Sequence, residues 1–463
     1  MTAGGARLPH PRWRLPIIGD LLTVDLNKPC QGLAREAKTL GGIFEERIFD
    51  VPVVVVCGAE FVDEVTNETA WEKHLGHSLR KLRTIAGDGL FTAYTSEPNW
   101  AKAHNILIPA FSRAAMATYH DTMVDTVREL MDAWHRRDDW IDVPSDANRL
   151  TTEIIARVGF GHTFGKLASA TDDPFIGTVL RELRYANRRT DAIPLYDKLF
   201  GRKQRRQHLA DKTWLRQQVS DLISARRAAR PNTDAHSDML DTMLNSADPD
   251  TSDTLDDVNI INQILTLLVA GSETSANTIA FAVHYLAHNP DIADAARTEA
   301  DERLAGRGPA GIPFEAIATL RRLRRVVDET LRLWPVAPGF FRQAKHDTAL
   351  GNGIYRFAKG DWVFVLLLAA HRDPATWGAD ADEFNPDRFL PDRLRGLPRH
   401  VYKPFGTGPR ACIGRQFALH EVMLTLAAVL HHFDLEPEPG YELTVTEALT
   451  LKPDGLRVRL HPR

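Results

Sequence analysis

The segment PFGTGPRACIGRQFALHEV, residues 404–422, puts three glycines, an arginine and a lone cysteine into a loop and then switches to helical periodicity. Two chemistries compete for such a loop: a phosphate cradle in which Cys412 is incidental, or a thiolate ligand around which the loop is built. A phosphate loop of the Walker kind needs four residues between its glycines and then Lys-Ser/Thr. Gly408 and Gly414 are separated by five residues and followed by Arg415, and Gly406-Thr407-Gly408 lacks the third glycine of a dinucleotide fingerprint. The thiolate reading accounts for more of the residues. A cysteine at a helix start is acidified by the oriented backbone N–H groups there. The flanking glycines let a flat ligand approach the backbone. Arg410 offers a guanidinium to a carboxylate on that ligand. Haem meets all three demands, with an iron, a flat macrocycle and two propionates; the plainer alternative is a buried structural thiol.

The spacing Phe405-Gly406-x-Gly408-x-Arg410-x-Cys412-x-Gly414 resembles the haem-binding signature of the cytochrome P-450 superfamily, with its six defining positions filled. Three further motifs occur in that family's order. Glu329 and Arg332, three apart on one helical face, resemble the ExxR pair, which in the family is buried and joined by an arginine from a Pro-x-Arg-Phe segment, here Pro386 to Phe389 with Arg388. The resemblance gives these three a structural role. Gly271 inside a helix reads either as a tolerated kink or small-residue helix crossing, or as Ala270-Gly271 opening a groove; AGSETS, residues 270–275, resembles the oxygen-activation motif, which implies proton delivery by Glu273 and Thr274. Trp100 and His104, four apart, resemble the WxxxH pattern that reaches the haem propionates, and Arg342 matches another propionate arginine.

Within the superfamily the chain is similar to the haem domains of bacterial self-sufficient fatty-acid hydroxylases. The resemblance implies that Phe91 stands over the haem and that Leu79, Ala86, Ala270 and Ala337 line an apolar channel. The relatives hold a fatty-acid carboxylate with an arginine and a tyrosine, where this chain has Val51 and Val55. An apolar mouth offers no charge-assisted hydrogen bond, so a weaker preference for free fatty acids is expected unless Lys73 or His77 supplies an anchor. The expected activity is insertion of one oxygen atom from O2 into a C–H bond of a hydrophobic substrate, with haem b as cofactor. Electrons would come from a ferredoxin, a flavodoxin or a flavin reductase, separate or fused. Arg393, Arg395, Arg399, Lys403 and Arg410 form a basic run suited to an acidic electron carrier. The alternatives are a haem sensor or electron-transfer protein, and a haem–thiolate dehydratase or isomerase.

The elements that must position these residues read as mainly helical with a small β portion. The expected fold is that of the P-450 family, with haem between the long central helix and the cysteine loop. One domain is expected over 1–463, with β structure mainly within 1–70 and 345–365, helices over 71–463 and no reductase domain. VPVVVVCG, 51–58, is the clearest strand. The segment 230–257 is a polar surface connection around an amphipathic turn, DMLDTML. Helices are expected over roughly 261–289, stopped by Pro290, and over 313–334, stopped by Pro335; short strands are expected within 348–365 and at LRVRL near the C-terminus. The chain has 463 residues, 43% of them hydrophobic, and 57 basic against 61 acidic side chains; the net charge of −4 gives no bulk electrostatic case for nucleic acid or membrane surfaces. Three scattered cysteines make neither a disulfide framework nor a zinc spacing. The longest apolar run, WVFVLLLAA, falls short of the ~20 residues of a membrane helix. A reduced cytoplasm is the expected compartment.

Overall fold

The computed structural model describes residues 6–49, 51–165, 167, 173–186, 201–229, 238–304 and 312–463; the first eight residues of the 230–257 connection lie outside them. The chain falls into two compact units. One comprises Met1–His74, Arg324–Cys412 and Thr444–Asp454; the other comprises Leu75–Leu323, Ile413–Leu443 and Gly455–Arg463.

The first unit is built on a five-stranded sheet in the order Ile43–Ile48, Val51–Val56, Trp362–Leu366, Gly339–Ala344, Trp71–Lys73. Its one parallel pairing joins the second and third of these (Val54 opposite Val363); the others are antiparallel. Val55, Val56, Val363 and Val365 fill its interior with branched side chains that suit a pleated, buried surface. WVFVLLLAA divides here into a strand to Leu366 and a short helix, Leu367–Ala370. Two helices break up the N-terminal region expected to be coil and strand: Pro29–Leu40, with proline in its first turn and Gly41 closing it at φ 92°, and Ala59–Val65.

The second unit is mainly helical. Its longest helix, Asp257–His288, is capped by Asp256, whose side chain accepts the Asn259 N–H, and is followed directly by a helix opening on Pro290. This helix is long and apolar enough to cross a membrane, but 78% of its most apolar window is buried inside the protein. Helix Val143–Phe160 packs along it. DMLDTML becomes the helix Met239–Asn245, opened by a reciprocal capping box between Asp238 and Asp241. The continuous helix expected over 313–334 is instead two, Phe314–Ile317 and Arg321–Leu333. The break has a local cause: the Glu299 carboxylate accepts the backbone N–H groups of Arg322 (2.8 Å) and Leu323 (3.2 Å), providing a fresh N-terminal cap. LRVRL lies in the strand Arg457–Pro462, which pairs with Phe433–Pro437 and Ile141–Asp142.

Candidate active site

In the first unit, the cysteine loop is mounted on a buried charged core. Glu329 and Arg332 are both fully buried, and their side chains meet in two bonds, Nε to Oε2 at 2.7 Å and Nη2 to Oε1 at 2.8 Å. The Arg332 guanidinium also donates to the carbonyls of His371 (2.8 Å), Ala381 (2.6 Å) and Glu383 (3.0 Å), and lies over the Trp377 ring at 5.2 Å. This satisfies every face of a charge whose desolvation would otherwise be prohibitive. Arg388 joins the cluster, but its tightest carboxylate is Asp380, at 2.6 Å, with Glu329 at 3.4 Å. The backbone N–H of Asn385 donates to Glu329 Oε1 at 2.8 Å, so the Pro-x-Arg-Phe segment is tied through backbone as well as through Arg388. The Phe389 ring packs with Trp377 and Val401 in an apolar cluster.

Two bonds carry this core to the loop. The Lys403 N–H donates to His371 Nε2 at 3.2 Å, and Tyr402 Oη donates to the Asp328 carbonyl at 3.0 Å. Burial, helped by Arg332, pushes the His371 pKa down to about 3, so its ring is a neutral acceptor. Beyond Lys403 the chain turns at Gly406 (φ 71°) and Gly408 (φ 63°), and the Cys412 N–H closes the loop on the Phe405 carbonyl at 2.8 Å. A Cβ on Gly408 would stand 2.1 Å from Glu68 Oε1, so glycine is required there by space and by conformation. Cys412 is exposed, two residues before Gly414, which caps the helix Arg415–His432.

Arg342 is buried and donates to the carbonyls of Val65 (3.0 Å) and Trp71 (2.9 Å), with the Glu68 carboxylate 3.0 Å from Nη2. Lys73 sits opposite Arg342 in the sheet. Burial, and then the charge of Arg410, push the Lys73 ammonium pKa well down. Two neighbouring cations of which one is desolvated form a site that an anion relieves. This pairing was not visible in the sequence, where Lys73 stood only as a possible substrate anchor. The donor set fits haem: an exposed thiol on a glycine loop for the iron, and Arg410 with Lys73 for a propionate. Of the two valines expected at the channel mouth, Val51 is exposed, whereas Val55 is fully buried between Phe44 and Phe364 in the sheet. Ala337 is exposed.

In the second unit, AGSETS lies within the unbroken helix Asp257–His288. Thr274 Oγ1 donates to the Ala270 carbonyl at 2.8 Å, and Thr151 from the neighbouring helix donates to the Ser272 carbonyl at 2.8 Å. Gly271 faces Ile155, whose side chain would lie 3.4 Å from an added Cβ, so the position serves helix packing. Glu273 is half-buried. Trp100 and His104 sit on helix Pro98–Leu107 with their rings stacked, centroids 5.1 Å apart. Leu79 and Ala86 belong to helix His77–Ala86, which also opens on His77.

The loop carrying Phe91 is clamped to the long helix by groups that sequence reasoning missed. Asp88 accepts side-chain amides from Asn259 (3.0 Å), Asn262 (2.7 Å) and Asn99 (2.7 Å). Burial opposes its charge, but these donors prevail and hold its carboxyl below the usual range. The Leu90 N–H donates to Gln263 Oε1 at 2.9 Å. A Cβ on Gly89 would stand 2.0 Å from Thr266 Oγ1, so the loop lies directly on the helix. The available signal was the trio Asn259, Asn262 and Gln263, polar positions at helical spacing in an otherwise apolar run.

A family model described as Cytochrome P450 matches residues 9–459. A bifunctional cytochrome P450/NADPH–P450 reductase of Bacillus cereus is 40% identical over 459 residues, covering 98% of this chain and 42% of the relative. The bifunctional cytochrome P450/NADPH–P450 reductase 2 of Bacillus subtilis is 41% identical, with the same two coverages. The chain thus spans about 42% of the length of these curated relatives. The crystal structure of a cytochrome P450, CYP102L1, superposes with a TM-score of 0.93 at 56% identity, covering 99% of both chains. With a family match over residues 9–459 and a solved P450 structure superposing over 99% of both chains, the chain belongs to the cytochrome P450 family, whose cofactor is haem b.

Proposed function

We propose that the chain is a haem–thiolate monooxygenase that places one oxygen atom from O2 into a C–H bond of a hydrophobic substrate. The observation that carries this reading is the exposed Cys412 on a loop fastened through His371 to the Glu329–Arg332 core. When bound, haem supplies oxygen activation, and a thiolate ligand favours O–O cleavage. The protein's own part is to hold, orient and protonate. Arg410 and Lys73 offer positive charge to a propionate, and the Trp100–His104 stack is the proposed second propionate contact. The Thr274 hydroxyl directs its proton to Ala270, leaving lone pairs to accept a hydrogen bond, and Glu273 beside it supplies an exchangeable proton.

Phe91, Leu79, Ala86 and Ala270 are proposed to confine the substrate. The exposed apolar Val51 supports weaker binding of free fatty acids than of matching alcohols or esters. The printed names of the relatives pair a P450 with a reductase, which supports an electron donor for this chain, fused or separate. Arg393, Arg395 and Arg399 are exposed, although Arg395 also pairs with Asp392; they are the proposed docking surface for an acidic carrier, which makes the reduction rate fall with salt. A reduced cytoplasm is the proposed compartment.

The test is the reduced carbon-monoxide spectrum followed by product analysis with a surrogate reductase. The wild type should give the red-shifted thiolate Soret band and oxygenated product. Cys412→Ser should remain folded and lose both. A wild type without that band would overturn the reading.

A further inference from the structure

One guanidinium in the second unit is bonded to both groups of elements that carry the proposed substrate-confining residues. Arg216, on helix Arg202–Ala228, is half-buried, and its Nη1 donates to Asn262 Oδ1 at 2.7 Å. The same nitrogen reaches the Ile85 carbonyl, 3.4 Å away, in the last turn of helix His77–Ala86, which carries Leu79 and Ala86. Carbonyls in a last helical turn have no partner within their own helix, and the negative end of the helix dipole favours a cation there. On its other side, the Asn262 amide donates from Nδ2 to Asp88 Oδ1 at 2.7 Å, three residues before Phe91. Arg216 and Asp88 therefore fix the amide from both ends, its oxygen to the cation and its NH2 to the carboxylate.

The joint is tight and electrically matched. Gly87, at φ 52°, lies directly on the amide: an added Cβ would stand 2.3 Å from Asn262 Nδ2. The turn is also closed on itself, because Thr92 Oγ1 donates to the Gly87 carbonyl at 2.8 Å and Arg83 Nη1 donates to the Thr92 carbonyl at 2.8 Å. Residues 87–92, with Phe91 among them, thus form one braced turn seated on Asn262. Burial lowers the Arg216 pKa and Asp88 opposes that shift, so the carboxylate supports the cation across the intervening amide. Without the guanidinium, the amide loses its charged donor, and the link from helix Arg202–Ala228 to the Phe91 turn is broken.

We propose that Arg216 is a specificity-determining positioning residue. It clamps helix Arg202–Ala228 to the end of helix His77–Ala86 and, through Asn262 and Asp88, to the Phe91 turn, and so sets which carbon of a flexible chain is oxygenated. The inference rests on Phe91, Leu79 and Ala86 confining the substrate of the proposed monooxygenase. Arg216 acts through the elements it joins and takes no part in the chemistry. A displacement of about 1 Å in those elements is enough to change which C–H bond is presented. The bond to Asn262 is charge-assisted, hence stronger than a neutral one, and the rigid planar fork fixes its direction. Lysine in its place keeps the charge but not that fixed geometry.

The experiment compares wild type, Arg216→Met and Arg216→Lys as holoenzymes. Methionine keeps a long apolar stem and removes the charge with its donors. The first readout is hydrogen exchange at amides 87–92 by mass spectrometry, which needs no turnover. Arg216→Met should quicken exchange there about tenfold, as loss of one charge-assisted bond requires, with helix Arg415–His432 unchanged. Arg216→Lys should fall between that variant and wild type. The second readout is the pattern of hydroxylated isomers from dodecanol with a surrogate reductase. The share of the main isomer should fall by about half in Arg216→Met and recover in part in Arg216→Lys. A role confined to stability would lower the melting temperature and leave the isomer pattern as in wild type. Wild-type exchange at 87–92 in Arg216→Met, or an unaltered isomer pattern beside quickened exchange, overturns the proposal. So does a wild type that has the carbon-monoxide band yet oxygenates no dodecanol. A wild type without that band overturns the haem–thiolate reading itself, so the two failures are told apart.

Discussion

Glu421, on helix Arg415–His432, is fully buried, and neither of its oxygens has a partner of hydrogen-bonding geometry. Burial lifts its carboxyl to about 8, against a weaker opposing effect of Ser275, while an unfolded glutamate titrates at 4.5. The folded state therefore binds this proton more tightly, and the stability linked to it is fully present below pH 4.5 and lost as pH rises to about 8. The loss is about 1.4 kcal/mol per pH unit, hence about 2–3 kcal/mol between pH 6 and pH 8. Glu421→Gln keeps the shape and cannot ionise, so its stability advantage over the wild type should widen by that amount across the same interval. Glu46, lifted to about 8 by burial and then by Glu36 and Asp20, tilts both proteins equally and drops out of the difference. Guanidinium unfolding of both holoproteins at the two pH values, followed by tryptophan fluorescence, measures the gap. Infrared difference spectra at pH 6.5 should show a protonated carboxyl band that the variant lacks. Parallel stabilities at both pH values, with no such band, would refute the argument.

Glu329→Ala leaves Arg332 buried without its carboxylate, and stability should fall by about 3–5 kcal/mol, read as loss of soluble holoprotein. Gly408→Ala should lower the melting temperature through two separable causes: about 1–2 kcal/mol for a left-handed backbone, and displacement of Glu68 from a Cβ that would stand 2.1 Å from it. Adding Glu68→Ala should recover the second part and leave the first.

The turn of the cysteine loop and the Glu–Arg core were readable because their requirements are local. Cys412 needs glycines within a few residues, and the Glu329–Arg332 pair is one helical turn long. The number of partners that Arg332 would gather was not readable, since three are backbone carbonyls from 371–383 that have no side-chain signature. The break before Arg321 was hidden because its cap, Glu299, comes from the earlier helix that opens on Pro290. Helices Pro29–Leu40 and Ala59–Val65 were lost among prolines and glycines, although Pro29 at a first turn is a start signal. Arg216 and Asn262 lie on helices Arg202–Ala228 and Asp257–His288, and no periodicity along either predicts that they meet.

His371 holds Lys403 with a ring that gains a proton only near pH 3. That joint is therefore a permanent acceptor from mildly acidic to alkaline solution, unlike a surface histidine, which would let go near neutrality. A pH-dependent spectrum or rate in this protein should then be traced to groups other than this joint, Lys73 beside Arg410 among them, because the His371–Lys403 bond does not itself respond. His371 serves the cysteine loop as a fixed bracket, and acidity acts on it by other routes.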